Sequence, residues 1–179
     1  PVTKEMWQTS ASLEGVVLPG FVLADVKGRD HSFADLSKGK PVVMYFIKEG
    51  CPCSIDVEPL LQSLAKAYGD KASFVGVLGG NQELAEKWMA VGATPYTLLV
   101  DTDLKLAKAL KAERSTYTAL VRADGTVERL FPGYSRDMLV QLNENISKLA
   151  KVETPTFDPA YAPKEMTSGC SFYADDNES

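Results

Sequence analysis

The sequence predicts an α/β layer sandwich, a mixed central β-sheet flanked by helices on both faces. Three observations carry that expectation. The near-continuous apolar run Pro41-Val42-Val43-Met44-Tyr45-Phe46-Ile47 reads as a strand covered on both sides. Segments of helical spacing then alternate with further short apolar runs, the pattern of βαβ units. Near the end, two apolar runs joined by Asp124-Gly125 read as a hairpin, which adds antiparallel edge strands.

Residues 1–13 show no clean period and are expected to lie on the surface. Residues 21–26, the turn Lys27-Gly28-Arg29-Asp30 and the return His31-Ser32-Phe33 form an N-terminal β-hairpin extension, with one helical turn over 34–37. After the central strand, Val57, Leu60, Leu61, Leu64, Ala65 and Tyr68 fall on one side of a 3.6-residue period, closed by Gly69-Asp70. Residues 72–78 are the next strand. A helix through Leu84, Trp88 and Met89 follows and stops at Gly92. Residues 96–100 are a short strand, and Leu104, Ala107 and Leu110 mark a helix capped by Thr102 or Asp103. The hairpin over 117–122 and 126–131 precedes a last helix, capped by Ser135, that carries Met138, Leu139, Leu142, Ile146 and Leu149.

The chain thus divides into a domain over 1–152 and an extended C-terminal tail over 153–179 that carries Cys170. Three prolines with Phe157 and Tyr161 predict a tail lying along the domain, with an acidic, frayed end at 175–179.

Composition narrows the function classes. At 179 residues, one core is the natural outcome. A net charge of −5 disfavours a nucleic-acid surface, since phosphate binding needs a basic face. No apolar run approaches the ~20 residues of a membrane span. No secretory signal is visible. The chain begins at Pro1, so an initiator Met or a signal peptide is expected to have gone. The compartment is therefore cytoplasmic or, where a signal peptide was removed, periplasmic or secreted. Gly79-Gly80 lacks the spacing and Lys-Ser/Thr context of a phosphate loop.

The chemistry concentrates at Lys48-Glu49-Gly50-Cys51-Pro52-Cys53-Ser54, between the central strand and the helix that follows it. Three cysteines are too few for a disulfide scaffold, and a close pair at a polar corner points to redox or metal chemistry. The bland alternative is buried thiols acting as small apolar side chains. The thiolate is the reactive form, and a helix start favours it, so Cys51 is the candidate nucleophile. His31, the single histidine, reads as a surface polar residue of the hairpin.

The order of elements, strand, cysteine corner, helix, strand, helix, strand, helix, hairpin and helix, resembles the thioredoxin-like superfamily. Its redoxin branch, which includes alkyl hydroperoxide reductase/thiol-specific antioxidant and TlpA-like proteins, is the nearer likeness. The residues that carry the resemblance are Leu18-Pro19-Gly20-Phe21 with Phe33-Ala34-Asp35-Leu36, the strand over 41–46, Pro59 eight residues after Cys51, and Arg114-Ser115-Thr116 before Ala123-Asp124-Gly125. The likeness spans roughly residues 14–150. It implies a thioredoxin-like three-layer sandwich and a thiol–disulfide oxidoreductase that uses Cys51.

The departures matter as much. Where reductases carry the second cysteine of Cys-x-x-Cys, and peroxidases their peroxidatic cysteine, this chain has Ser54. Thr116 stands at or near the place of the proline that faces the site. Arg114 has two readings, the arginine that polarises peroxide in the peroxidase members, as the resemblance implies, or a solvated loop cation. Cys-Pro-Cys remains able to do redox chemistry, because residues i and i+2 reach disulfide Cα separations of about 4.4–6.8 Å with strain. Cys51 then attacks, and Cys53 or the distant Cys170 resolves. The tail is long enough, at ~3.3 Å per residue, to bring Cys170 back over the domain. Its Gly-Cys-Ser context is similar to the ending of some redoxin proteins.

The implied partners are a protein or small-molecule disulfide, or a hydroperoxide, with a thiol reductant; the chain is a monomer or homodimer, and no cofactor is implied. Two other readings stay open. One is a peroxiredoxin-like thiol peroxidase. The other is a non-catalytic module that binds a soft metal such as Cu(I), or a partner protein, through Cys51 and Cys53.

Overall fold

The computed structural model describes residues 1–92 and 94–173, so the expected acidic end at 175–179 lies outside the described residues. Its centre is a five-stranded mixed sheet. The strands are β3 (Val42–Ile47), β4 (Ser73–Leu78), β5 (Leu98–Val100), β6 (Tyr117–Val121) and β7 (Val127–Phe131), in the order β5-β4-β3-β6-β7. β4 runs parallel to both β3 and β5, while β6 is antiparallel to β3 and β7. A separate antiparallel pair, β1 (Val22–Ala24) and β2 (Asp30–Ser32), is the hairpin that precedes the sheet.

Every residue of β3 is buried, as a run without alternation requires. Because successive side chains point to opposite faces, the strand feeds two cores. Val43, Tyr45 and Ile47 pack with Val57, Leu61 and Leu64 of α3 (Pro52–Tyr68), Trp88 of α4 (Gln82–Gly92), and Leu139, Leu142 and Ile146 of α6 (Arg136–Ala150). Val42, Met44 and Phe46 pack with Leu36 of α2 (Phe33–Ser37) and with Leu106, Ala107 and Leu110 in and beside α5 (Lys105–Ala109). Helices therefore cover both faces, which makes the three layers.

Two expectations are corrected. Residues 1–13 hold a helix, α1 (Lys4–Ser12), whose N-cap Thr3 accepts a hydrogen bond from the Met6 amide at 3.2 Å. Only Met6 and Ser10 of α1 are buried, so one contact row of i and i+4 was too short to register as a period. At α5 the cap is neither Thr102 nor Asp103. Leu104 holds the N-cap position at φ 57°, and the buried Asp101 carboxylate accepts from the Leu106 and Ala107 amides, each at 3.1 Å.

The tail crosses the α3–α6 face. Phe157 and Met166 pack against that core, Ala162 is buried in it, and the Arg136 amide donates to Pro163 O at 2.9 Å. It then reaches the end of β3, where the cysteines lie.

Candidate active site at the strand-to-helix corner

Cys51 is the N-cap of α3, with φ −82° and ψ 125°, and Pro52 takes the first helical position. Proline belongs there because that amide has no intrahelical partner. The Ser54 hydroxyl is buried and accepts from the Lys48 amide at 3.1 Å, pinning the end of β3 to the start of α3. Ser54, where the resemblance leads one to expect a second cysteine, is thus a structural brace.

Two segments, the loop before β6 and the tail, converge on the Cys51 sulfur. Ser115, in the loop before β6, donates its hydroxyl to Sγ at 3.0 Å. The Cys170 amide, from the tail, donates to the same sulfur at 3.1 Å. The Cys170 thiol, close by, also favours the charged form of Cys51. Burial alone raises a thiol's pKa, but here the hydrogen-bond donors and the neighbouring Cys170 outweigh it and hold the Cys51 thiol below its ordinary 9.0. Cys53 moves the opposite way: burial, the Cys51 charge and Asp56 push it up. Cys170 is pushed up to about 11, by burial and by the neighbouring Cys51. The three sulfurs are therefore unequal, and Cys51 is the one favoured as thiolate. All three are free thiols.

Cys51 is 1% exposed, so this polar corner encloses the sulfur and does not hold it in reach of solvent. Its cover is the tail, not an apolar lid. A Cβ placed on Gly169 would stand 2.6 Å from Cys51 Sγ and 3.0 Å from Cys53 Sγ, so the bare backbone of residue 169 lies across both. Of the other candidates, Thr116 is buried and donates its hydroxyl to Cys53 O at 3.4 Å. The Ser115–Thr116 peptide is cis. Arg114 donates through Nη1 to Gly169 O at 3.2 Å, so its guanidinium engages the tail. The geometry thus brings Cys51, Cys53, Cys170 and Thr116 together and sets Arg114 one layer out. It adds Ser115 and Gly169, which sequence reasoning quoted without a role. Their partners lie 64 or more residues away along the chain, beyond any local pattern.

Elsewhere, His31 Nε2 and Asp25 Oδ2 are 2.8 Å apart in the hairpin, so His31 is a partner for that carboxylate. An open groove of about 630 Å³, lined by residues that include Pro59, Gln62, Pro95 and Tyr96, flanks α3 but contains no cysteine. Among the described residues no group of three or more His, Cys, Asp or Glu is placed to hold a metal ion. None of the described helices is long and apolar enough to cross a membrane.

A cysteine capping the helix that follows a central strand, on a sheet ordered β5-β4-β3-β6-β7, defines the thioredoxin-like class. Residues 15–130 match the AhpC/TSA family, and the chain belongs to it. A thioredoxin-like protein of Bacillus subtilis, YneN, is 35% identical over 86 residues, covering 48% of this chain. The chain spans about half of that relative's length, 49%.

Solved structures bear out the fold. A conserved protein from Geobacillus kaustophilus superposes with a TM-score of 0.72 at 21% identity, over 91% of this chain and 93% of its own. A secreted disulfide oxidoreductase of Mycobacterium tuberculosis gives 0.60 at 23% identity, over 72% of this chain and 96% of its own. The thioredoxin domain of a thiol–disulfide oxidoreductase from Bacteroides vulgatus gives 0.65 at 22% identity, over 74% and 97%.

Proposed function

We propose that this protein is a thiol–disulfide oxidoreductase in which Cys51 attacks a disulfide and Cys170 resolves the intermediate. The observation that carries the reading is the hydrogen bond from the Cys170 amide to the Cys51 sulfur at the helix start, which holds residue 170 against the nucleophile. The Cys51 thiolate attacks one sulfur of a target disulfide. That S–S bond breaks, the leaving sulfur takes the electron pair and is protonated, and a mixed disulfide remains on Cys51. Forming it removes the negative charge on Cys51 that helped push Cys170 up, and Lys48 favours the Cys170 thiolate, so that thiol now ionises more readily. It attacks the Cys51 sulfur, expels the second target thiolate and leaves a Cys51–Cys170 disulfide. The target has gained two electrons, and an external dithiol restores the protein.

Membership of the AhpC/TSA family favours a second substrate for the same thiolate, a hydroperoxide. One experiment separates the readings. Reduced protein is treated with one equivalent of either oxidised dithiol or hydrogen peroxide, and its disulfides are mapped by peptide mass spectrometry with a sulfenic-acid trap present. A Cys51–Cys170 bond from the dithiol, lost in Cys51→Ser, supports the oxidoreductase. Sulfenic acid on Cys51 from peroxide alone supports the peroxidase. Three free thiols after both treatments sink both.

A further inference from the structure

The tail meets the site as a strand. The Ser115 amide donates to Cys170 O at 3.0 Å and the Phe172 amide to Glu113 O at 2.9 Å, while the Gly169 amide donates to Ser115 O. Thr167 and Tyr134 exchange both backbone bonds at 2.9 Å. Main-chain pairing of this kind supplies affinity without reading sequence, which is left to pockets for individual side chains.

Two positions of the strand do read side chains. At 169 the added Cβ would also stand 2.9 Å from Cys53 Cβ, so only glycine lets the backbone approach this closely. At 172 the phenylalanine is 7% exposed and joins the core cluster around Phe46 and Tyr117. Its ring lies over the bare backbone of Gly79, where a Cβ would come 3.2 Å from Phe172 Cδ1 and 2.8 Å from Leu104 Cδ2. Gly79 thus leaves room for an aromatic seat, a role unrelated to phosphate. With Cys51 enclosed, this occupant must leave before any protein disulfide reaches the sulfur.

The geometry points to a docking groove along residues 113–115 and Tyr134, with its aromatic seat at Gly79 and Leu104, for an extended segment of a protein disulfide. That segment carries glycine immediately before its cysteine and an aromatic residue two places after it, and it displaces the chain's own residues 167–172. The inference rests on Cys51 as nucleophile. It also gives resolution a direction: the returning tail carries Cys170 onto Cys51 and takes the backbone bonds back from the reduced product.

The test uses the reduced full chain and hexapeptides based on Thr-Ser-Gly-Cys-Ser-Phe, with the cysteine held as a mixed disulfide to 5-thio-2-nitrobenzoate. The Cys51 thiolate attacks the peptide sulfur, the bond to the aryl sulfur breaks, and the coloured aryl thiolate departs with the electron pair. The parent peptide is expected to react about tenfold or more faster than the peptide with alanine for phenylalanine, the effect of burying one ring. It should also outpace the peptide with alanine for glycine. Phe172→Ala in the protein, which vacates the seat, should speed the parent peptide further while keeping the ranking. If that variant fails to fold, the ranking on the unaltered chain still decides.

Equal rates for all peptides, with mass spectrometry placing each on Cys51, overturn the groove and leave the nucleophile standing. Labelling elsewhere, by peptides and by a small aryl disulfide alike, removes the nucleophile and the groove together. A dimer joining Cys170 of one copy to Cys51 of another, formed in preference to the peptide adduct, assigns the groove to a second copy and also overturns the inference.

Discussion

Replacing Ser115 with alanine removes one donor from the Cys51 sulfur and leaves the Cys170 amide in place. The bond is 3.0 Å long and Ser115 is 0% exposed, so no solvent stands ready to replace it. A hydrogen bond to an ionised group contributes about 1.5–3 kcal/mol, which is roughly 10–100-fold in the thiolate fraction below its midpoint. The remaining thiolate is more basic and hence more nucleophilic, with a Brønsted slope of about 0.4–0.5. The two effects oppose, and the net fall in rate on the acid limb is about 3–15-fold.

The assay is alkylation of Cys51 by iodoacetamide across pH, read by site-resolved mass spectrometry. In Ser115→Ala the midpoint moves up, the acid limb falls and the alkaline plateau rises. Thr116→Ala, whose hydroxyl meets Cys53 O and not the sulfur, leaves the midpoint in place. The linkage has a definite sign. The folded-state value lies below the ordinary 9.0, so this group's stabilisation is fully present above 9.0 and is lost as pH falls through the folded value. Ser115→Ala should flatten that slope. An unchanged midpoint with intact folding would refute the claim that the serine hydroxyl holds the thiolate.

Two further predictions concern groups that hold the scaffold. Asp101→Ala leaves the Leu106 and Ala107 amides without their carboxylate, and urea denaturation should show a loss of about 1–3 kcal/mol; a loss below about 0.5 would mean that water caps α5 as well. Glu58 is 3% exposed, and burial pushes it above its ordinary 4.5, although Tyr45, Gln62 and Thr94 all donate to it. Its folded-state value is the higher one, so its contribution is fully present below pH 4.5 and is lost as pH rises through the folded value. Oε2 has no partner among the described residues, so Glu58→Gln keeps the acceptor and removes the charge. The melting temperature of the variant relative to the parent should then climb from pH 4.5 to neutrality, and a flat difference would place the carboxylate in contact with water.

Local chemistry determined a good deal of this molecule. The unbroken apolar run of β3, the 3.6-residue stripe of α3, Gly69 at its end, Asp124-Gly125 in the last turn and Ser135 at the head of α6 each act within a few residues of themselves. Those signals were enough for the layers, their order and the candidacy of Cys51. α1 escaped because just two of its residues touch the core, and the α5 cap escaped because the chain places a carboxylate four residues before the helix.

Tertiary structure decided the ranking of the sulfurs. A thiol's ionisation depends on the donors and charges around it, and those on Cys51 come from Ser115 and Cys170, 64 and 119 residues further along the chain. No periodicity or spacing records such a meeting. Only the fold, by laying the tail as a strand across the end of β3, makes Cys51 the favoured anion and its own C-terminal segment the first occupant of the site.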